Sequence, residues 1–332
     1  MVSSKDVAKY AGVSQTTVSR VLNSPDLVQK KTLDKVQNAI NELNYRPNSV
    51  ARSLVNNKTK SIALLSGPLH NPFFAESTTS IVNYAKEKGF NVNVHFENFG
   101  SNMEVYQDMV ENTVDGIILS SILYEDSIFE RLNRLDIPFV MFNRKHKELG
   151  HFVEMDNVQA GRLATAHLIS LKHQHIAWVG GPLNMSTFWG RFEGYKQVLT
   201  EEKIPLEQHN IIITDTSRES IFKETASIMS RKNRPTAIYA ATDSIAIFIM
   251  DYLLQKGYEI PRDISIIGTD NVNLSAHASF QLSTVTITTE QNLGRIAVET
   301  LFNLIEGQPF SPSFIQKTIE TSLLARKTTL KL

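Results

Sequence analysis

The sequence predicts an α/β protein with an all-α helix-turn-helix head at its N-terminus and a two-lobed body of doubly wound parallel sheets. Three observations lead to this prediction. The length of 332 residues suggests two or three domains. Apolar residues recur at helical spacing within residues 1–46. After residue 60, short apolar strands alternate with amphipathic helices in two successive sets.

The head begins with two short helices separated by a tight turn. Ser3 and Asp6 have the spacing of a capping box, which predicts a first helix over about residues 5–10. Gly12 follows, where a tight turn often requires a positive φ. Ser14 is a good N-cap for the second helix, because its hydroxyl can accept a hydrogen bond from a free backbone N–H. Two short helices joined in this way form the helix-turn-helix pattern.

One side of the second helix carries side chains that can hydrogen-bond to base edges. Val18, Val21 and Leu22 fall on the buried side of the helix. The opposite side carries polar residues and no acid: Gln15, Thr16, Ser19, Arg20 and Asn23. Gln can pair with adenine, Arg with guanine, and Thr with either or with the thymine methyl. The pattern favours DNA binding over the alternative, which is a solvated helix face that contacts no ligand.

A third helix and the charge distribution complete the predicted head. The helix is expected over residues 31–44 from apolar residues at helical spacing: Leu33, Val36, Ile40 and Leu43. Residues 1–60 hold ten Lys and Arg against four Asp and Glu, which gives +6, so the other 272 residues carry −6 in a chain of zero net charge. A basic head on an acidic body is typical of a protein that binds nucleic acid through the head.

The body repeats a rhythm of strand and helix. The first set of predicted strands covers 61–65, 91–96, 115–120, 137–142 and 152–155, and the second covers 175–181, 210–214, 237–241 and 264–268. Continuous apolar strands joined by helices imply parallel sheets covered on both faces. Ligands of such folds bind beyond the carboxyl ends of the strands. We therefore expect a ligand site in the cleft between two lobes.

Polar and aromatic residues concentrate after these strands. "GPLHNPFF" (67–74) follows the first strand, and "GGPLNMSTFWGR" (180–191) follows the first strand of the second set. The candidate effector-binding residues are Asn71, Phe73, Phe74, Asp156, Thr187, Trp189, Arg191, Asp243 and Asp270. Carboxylates and Arg form directional hydrogen bonds with hydroxyls, and aromatic rings can stack on a pyranose, so the set favours a sugar. Asp156 or Asp243 could alternatively cap the next helix, and Phe73 could be core.

The chain resembles the lactose/galactose-repressor (LacI/GalR) family of bacterial transcription regulators along its whole length. The strongest segments are "DVAKYAGVSQTTVSRVLN" (6–23) and "NELNYRPNSVARSL" (41–54). The resemblance implies a periplasmic-binding-protein-like body that binds a small-molecule effector in its cleft, and a homodimer bound to a double-stranded DNA operator. It implies base contacts from Gln15, Thr16 and Arg20. It implies phosphate contacts around Ser14, Thr17, Ser19 and Asn23.

Residues 47–60 are predicted to form a short hinge helix and a linker. Pro47 and Asn48 suit a helix start, and so short a helix is marginal in water by itself. The resemblance implies that this helix orders only on the operator, that Asn48 is a DNA contact, and that Leu54 inserts into the minor groove as an apolar wedge. The alternative is that Val50 and Leu54 pack against the head.

Several residues depart from the family pattern. The family often has Asn where Thr242 stands and Phe or Tyr where Thr269 stands. Met185 stands about where purine-responsive members carry Arg, which weighs against a purine. Phe188 and Trp189 add stacking surface, which favours a carbohydrate larger than one ring. The identity of the effector stays open among a sugar, a nucleobase, a sugar phosphate and a phosphoprotein corepressor.

The domain boundaries follow from the order of these elements. The predicted domains are the head (1–46), the hinge and linker (47–60), the N-terminal lobe (61–157 and 290–323) and the C-terminal lobe (158–289 and 324–332). A helix over 290–306 and one strand over 314–327 return the chain to the first lobe. No leucine-heptad segment follows, so we expect a dimer rather than a tetramer.

Composition and missing motifs exclude several classes of protein. The chain has no Cys, no apolar run of roughly 20 residues that could span a bilayer, and no secretory signal, which favours a cytoplasmic protein without a membrane partner. No P-loop, dinucleotide-binding, zinc-protease or hydrolase motif is present, so no enzyme, cofactor or metal site is predicted. His173 and His175 are expected in a solvated loop. A transport-type sugar-binding protein would suit the body but not the basic head.

Overall fold

The computed structural model describes residues 2–45, 59–97, 105–107, 109, 113–307 and 314–332. The chain separates into two units, Met1–Thr59 and Lys60–Leu332. The predicted hinge helix, with Asn48 and Leu54, lies outside the described residues. Most of the predicted helix near 103–111 also lies outside them, although residues 105–107 and 109 are helical.

The head is built from short helices around a small apolar core. Its helices are α1 (Ser4–Ala11), α2 (Gln15–Asn23) and α3 (Lys30–Glu42), with a 3₁₀ turn at Pro25–Leu27. The capping box is confirmed, because Ser3 accepts a hydrogen bond from the Asp6 N–H and Asp6 Oδ2 accepts one from the Ser3 N–H. Gly12 ends α1 with φ of 64°. The buried core consists of Val7, Ala8, Val18, Val21, Val36 and Ala39.

The body contains two six-stranded sheets, one in each lobe. The first sheet contains β1 (Ser61–Ser66), β2 (Asn91–Phe96), β3 (Gly116–Leu119), β4 (Phe139–Phe142), β5 (Phe152–Met155) and β11 (Gln316–Ile319), in the order β11-β5-β4-β3-β1-β2. The second contains β6 (Ile176–Gly180), β7 (Ile211–Ile213), β8 (Ala237–Ala240), β9 (Ser265–Thr269), β10 (Ser283–Ile287) and β12 (Thr321–Leu324), in the order β12-β10-β9-β8-β6-β7.

Helices pack on these sheets. The helices of the first lobe are α4 (Pro72–Glu87), α5 (Ile128–Asn133) and α10 (Leu293–Ile305). Those of the second are α6 (Asn157–Ser170), α7 (Ser186–Glu201), α8 (Arg218–Met229) and α9 (Asp243–Gln255). Short 3₁₀ turns lie at Gln208–Asn210 and Asn273–Ala276. Among the described residues, no helix combines the length and the apolar character needed to cross a membrane.

The strand pairs are parallel except at one edge of the second sheet. In the first sheet, for example, Ile62 of β1 is paired with Val92 of β2 and with Gly116 of β3. The exception is β12, which is antiparallel to β10. A single residue, Glu320, separates β11 of the first sheet from β12 of the second. The chain therefore passes directly from one sheet into the other. It does not make the long crossover that would be needed between parallel strands of one sheet. The α/β architecture with two doubly wound lobes is confirmed, with this antiparallel edge added.

Two predicted elements differ from the structure. The single strand predicted over 314–327 is two strands in different sheets, so the last crossing between lobes falls at Glu320 and not after residue 323. The helix predicted to start near Arg191 starts at Ser186. Thr187 and Trp189 therefore belong to the first turn of α7 and not to a loop.

Two glycines let α6 and α7 pack with their backbones in contact. A Cβ atom on Gly161 would lie 2.1 Å from the carbonyl oxygen of Arg191, and one on Gly194 would lie 2.1 Å from that of Val158. Glycine is required at both positions because the obstructing atoms belong to the backbone. This close approach fixes the backbone position of Arg191.

Candidate functional site

The exposed face of α2 carries most of the side chains that were predicted to contact DNA. The exposed positions are Gln15, Thr16, Ser19 and Arg20. Thr17 is half-buried, and Val18 on the opposite side is fully buried in the head core. Because Val18 and Val21 are held by the core, the polar face of α2 is turned outward. Asn23 is the last residue of the helix.

Local hydrogen bonds hold the first turn of α2. Ser14 is the N-cap, and its Oγ accepts a hydrogen bond from the Thr17 N–H at 3.1 Å. The Ser14 and Thr17 hydroxyls are 2.8 Å apart. Gln15 Nε2 donates to Ser4 Oγ at 3.0 Å, which ties α2 to α1. In helix-turn-helix proteins the N-terminal residues of the second helix contact the base edges, so the most constrained turn is the one expected to contact bases.

A cavity of about 130 Å³ lies between the two lobes, at the carboxyl ends of their strands. The first lobe lines it with His70, Asn71, Phe73, Phe74, Glu97 and Arg144, among others. The second lobe lines it with Met185, Thr187, Phe188, Arg191, Phe248 and Asp270, among others. Aromatic walls with a few convergent polar groups are typical of small-molecule sites.

Arg191 is held rigidly at this cavity. Its side chain is 1% exposed, and Nη2 donates to Asp270 Oδ1 at 2.7 Å. Nη2 also lies 3.1 Å from Met155 Sδ, Nη1 donates to the carbonyl of Ala241 at 2.5 Å, and Nε donates to Asn157 Oδ1 at 3.1 Å. The guanidinium plane is thus fixed before any ligand binds, which lowers the entropic cost of binding.

Asp270 has an unusual backbone conformation. Its φ is 120°, a region that residues with a side chain rarely adopt. The hydrogen bond from its N–H to the carbonyl of Val285, at 2.9 Å, holds the residue in place. Burial raises the pKa of Asp270, and the adjacent Arg191 acts in the opposite direction. The permanently charged guanidinium of Arg191 thus opposes the effect of burial on this carboxyl group without cancelling it.

Six of the nine predicted effector residues line the cavity. These are Asn71, Phe73, Phe74, Thr187, Arg191 and Asp270. Asp156 is outside the cavity lining, and it caps α6 by accepting a hydrogen bond from the Gln159 N–H at 2.9 Å. Its alternative role as a helix cap is therefore the one that the structure supports.

Asp243 also lies outside the cavity lining, fully buried behind the wall. Oδ2 accepts a hydrogen bond from the Val272 N–H at 3.0 Å, and Oδ1 accepts one from Thr284 Oγ1 at 2.6 Å. Burial raises the pKa of Asp243 to about 7, and the charge of Asp270 acts in the same direction. The cap of α9 is Thr242. Asp243 instead holds the loop that carries Asp270.

Trp189 is the third predicted effector residue that lies outside the cavity lining. Its side chain is half-exposed on the first turn of α7, and its ring stacks on Tyr124 of the first lobe with centroids 6.5 Å apart. Phe188, its neighbour, does line the cavity. Of the two residues expected to stack on a carbohydrate larger than one ring, only Phe188 therefore faces this cavity.

Several lining residues were not anticipated from the sequence. The side chains of Glu97 and Arg144 are less than 10% exposed and form an ion pair with 3.4 Å between Oε1 and Nη1. Asp215 and Ser244 line the second-lobe side. The sequence did contain a signal for three of them. Glu97, Arg144 and Asp215 each lie one or two positions beyond the end of a strand. Asp156 was predicted as an effector residue because it lies at such a position.

The histidines near β6 do not form a metal site. His173, expected in a solvated loop, is buried, with Nδ1 2.9 Å from Thr236 Oγ1 and Nε2 3.0 Å from the carbonyl of Leu330. The C-terminal segment folds back over it, which the local sequence could not indicate. Within the described ranges, no group of three or more His, Asp or Glu residues is arranged to hold a metal ion.

Two family models match the chain. Residues 4–48 match bacterial regulatory proteins, lacI family, and residues 165–329 match a periplasmic binding protein-like domain. The ribose operon repressor of Haemophilus influenzae is 34% identical over 92% of this chain and 93% of its own length. The HTH-type transcriptional repressor PurR of Vibrio atlanticus is 35% identical over 93% of both chains.

Solved structures are similar over most or nearly all of the chain. The Lac repressor dimer bound to operator and the anti-inducer ONPF is 29% identical, with a TM-score of 0.86 over 99% of both chains. A LacI family transcriptional regulator from Enterococcus faecium with bound ribose is 27% identical, with a TM-score of 0.71 over 82% of this chain and 99% of that one. The helical head, the two-lobed body and these relatives all indicate the same family. The chain belongs to the lacI family of bacterial regulatory proteins, and it is a DNA-binding transcriptional repressor that is regulated by an effector.

Proposed function

We propose that this repressor controls carbohydrate-utilisation genes and leaves its operator when a sugar binds the cavity between the lobes. The observation that carries the proposal is the buried Arg191–Asp270 pair facing aromatic rings across a small cavity. A hydroxyl group both donates and accepts hydrogen bonds, so adjacent sugar hydroxyls can satisfy the guanidinium and the carboxylate together. Phe73 and Phe188 offer apolar faces for the sugar ring.

The size of the cavity favours a single ring. Its volume of about 130 Å³ is similar to that of an engineered protein cavity of about 150 Å³ that binds benzene. A disaccharide would need the lobes to move apart. The ligand is therefore proposed to be a monosaccharide.

The relatives support a sugar and also the main alternative. The ribose operon repressor and the ribose-bound structure favour a pentose. The PurR relatives, at similar identity, favour a purine-related effector and with it the nucleobase alternative. Met185 lines the cavity with an apolar side chain that provides no strong hydrogen-bond donor for a base, which favours the sugar. A sugar phosphate and a phosphoprotein corepressor are the remaining alternatives.

The proposed mechanism couples the cleft to the operator. A homodimer in the cytoplasm places two α2 helices in successive major grooves of a pseudo-palindromic site. The proposed base contacts are Gln15, Thr16 and Arg20. The proposed backbone and hinge contacts are Ser14, Thr17, Ser19, Asn23, Asn48 and Leu54. Operator affinity changes because the sugar binds the two lobe arrangements with different affinities. The proposal is one of binding without catalysis.

A thermal-shift screen tests the proposal. The panel contains D-ribose, D-xylose, D-glucose, adenine and D-ribose 5-phosphate. A ligand at 100 times its dissociation constant stabilises the folded protein by about 2.7 kcal/mol, which is measurable. We expect a neutral monosaccharide to raise Tm and to release a selected operator duplex in fluorescence anisotropy. Arg162→Met, outside the cavity lining, should respond like the wild type. A shift with adenine alone, or with no compound, would contradict the sugar assignment.

A further inference from the structure

We propose that Glu154 is a positioning residue for Arg191 and acts on it through the side-chain amide of Asn157. Glu154 fixes the orientation of this amide, and the amide in turn holds the guanidinium of Arg191. The inference rests on the proposed function, because it concerns how Arg191 is prepared for the ligand. It assigns a role to two residues, Glu154 and Asn157, that lie outside the cavity lining and would not touch the ligand themselves.

The side chains form a continuous chain of hydrogen bonds. Arg191 Nε donates to Asn157 Oδ1 at 3.1 Å, and Asn157 Nδ2 donates to Glu154 Oε2 at 3.4 Å. Glu154 Oε1 accepts from Lys145 Nζ at 2.5 Å. Glu154, Asn157 and Arg191 are all buried. A buried polar group that loses its partner stays unsatisfied, because water does not replace the lost contact.

The two neighbours of the Asn157 amide allow it one favourable orientation. An ionised carboxylate only accepts hydrogen bonds, and a guanidinium only donates them. The amide therefore turns its nitrogen towards Glu154 and its oxygen towards Arg191. Without the carboxylate, the amide could turn over and present its N–H groups to Nε of Arg191, so that two donors would face each other.

Lys145 supports Glu154 as a hydrogen-bond acceptor. Burial raises the pKa of Glu154, and the charge of Asp156 acts in the same direction. The hydrogen bonds from Lys145 and Asn157 act in the opposite direction and favour the ionised form. The Lys145 side chain is 37% exposed, so its ammonium group keeps part of its hydration while it donates to Glu154.

Glu154 and Asn157 lie on opposite sides of a crossing between the lobes. Glu154 belongs to β5 of the first sheet, where it is paired with Thr318 of β11. Asn157 is the first residue of α6 in the second lobe. A Cβ atom on Gly190 would lie 2.8 Å from that of Asn157, so α7 packs directly on this residue one position before Arg191. The backbone around the amide is therefore fixed, and Glu154 sets which way the amide points.

Hydrogen exchange of the Arg191 Nε–H, measured by ¹⁵N NMR on the full chain without ligand, tests the proposal. Arg191→Met identifies the signal by its loss. Glu154→Leu removes the acceptor, and we expect it to speed the exchange about tenfold or more, the effect of losing a hydrogen bond to a charged group. The double variant Glu154→Gln/Asn157→Asp exchanges donor and acceptor. Its carboxylate at position 157 can accept both from Arg191 and from the amide at position 154, so it should restore the wild-type rate.

A second arrangement of Glu, Asn and Arg supplies the matched control. Asn210 Nδ2 donates to Glu207 Oε2 at 2.8 Å, and Arg231 Nη1 donates to Asn210 Oδ1 at 3.5 Å. The Glu precedes the Asn by three positions in both arrangements. Glu207, Asn210 and Arg231 all lie outside the cavity lining. Glu207→Leu should therefore leave the exchange of the Arg191 Nε–H unchanged.

Isothermal titration calorimetry with D-ribose, D-xylose and D-glucose separates this proposal from the sugar assignment. We expect Glu154→Leu to bind the wild-type sugar about tenfold or more weakly, and the double variant to recover the affinity. Unchanged Nε–H exchange in Glu154→Leu, or a double variant that exchanges as fast as Glu154→Leu, would overturn the positioning role whatever the sugars do. Faster exchange with recovery, in a wild type that binds no sugar, would support the positioning role and contradict the sugar assignment. If Glu154→Leu does not fold, Glu154→Gln provides the measurement, with a smaller increase in exchange rate expected.

Discussion

Arg191 and Asp270 form an ion pair with 2.7 Å between Nη2 and Oδ1, in which each side chain is at least 95% buried. Breaking a buried pair leaves one charge unpaired, which costs about 3–5 kcal/mol. We therefore expect Arg191→Ala to lower the free energy of unfolding by this amount and to abolish the sugar-dependent rise in Tm. Urea unfolding followed by tryptophan fluorescence measures the first effect, and thermal shift measures the second.

The matched control removes both charges. An Arg191→Met/Asp270→Leu double variant should be closer to the wild type in stability than Arg191→Ala, because no buried charge is left alone. It should still fail to bind sugar. An Arg191→Ala protein as stable as the wild type would show that the pair is not the buried contact described here.

Asp243 should act on ligand binding through the loop that it holds. Asp243→Ala leaves the Val272 N–H and the Thr284 hydroxyl without their partner, which costs about 1–3 kcal/mol for an unsatisfied group. Asp243→Asn retains an oxygen for Val272, so it should bind sugar more nearly like the wild type. Equal sugar affinities in the alanine variant and the wild type would contradict this role.

Because the pKa of Asp243 is raised, the stability difference between Asp243→Asn and the wild type should depend on pH. Burial raises this pKa from an ordinary 3.8 to about 7, so between these pH values the folded state binds more protons than the unfolded state. Stability contributed by this group is then present at low pH and is lost as the pH rises towards 7. The Tm of Asp243→Asn relative to the wild type should therefore be higher at pH 8 than at pH 5.

His173 should have the opposite pH dependence. Its burial lowers its pKa below the ordinary 6.5, while the carbonyl of Leu330 opposes that shift. The unfolded chain then binds a proton that the folded chain excludes, so stability falls as the pH drops below 6.5. We expect the Tm of His173→Gln relative to the wild type to be higher at pH 5.5 than at pH 7.5. A relative Tm that falls as the pH drops would rule out this origin.

Gly161 should not tolerate a side chain. A Cβ atom there would lie 2.1 Å from the backbone oxygen of Arg191, and backbone cannot move away as a flexible side chain can. Overpacking typically costs about 1–3 kcal/mol, so Gly161→Ala should lower Tm and weaken sugar binding by displacing Arg191. Ala166→Ser, at an exposed position of the same helix, is the control and should leave both unchanged.

Arg20 should specify one base pair of the operator. It is exposed on the polar face of α2. We expect Arg20→Ala to cost about 1–3 kcal/mol in operator binding and to relax discrimination at a single position. Fluorescence anisotropy with single-substitution operators measures this. Arg134→Ala, which removes an exposed Arg from the body, is the control. A uniform loss across all operators would instead indicate a phosphate contact.

Local sequence was sufficient to predict the three helices of the head and most strands of the body. The capping box of Ser3 and Asp6, the positive φ of Gly12 and the cap at Ser14 all follow from side chains within four positions of one another. The strand predicted over 91–96 has the same bounds in the structure, Asn91–Phe96. Hydrogen bonds between residues so close in the chain, and the spacing of apolar residues along one helix or strand, can be predicted without knowing the rest of the sequence.

Which strand-end residues face the cavity depends on the tertiary structure. Asp156 and Glu97 both follow strands, yet one caps a helix and the other lines the cavity, because the choice depends on how the two lobes approach each other. The partner of Arg191 lies 79 positions away, and the last lobe crossing at Glu320 depends on two separate sheets. Contacts between such distant residues have no local signal, since they arise only when the sheets are assembled.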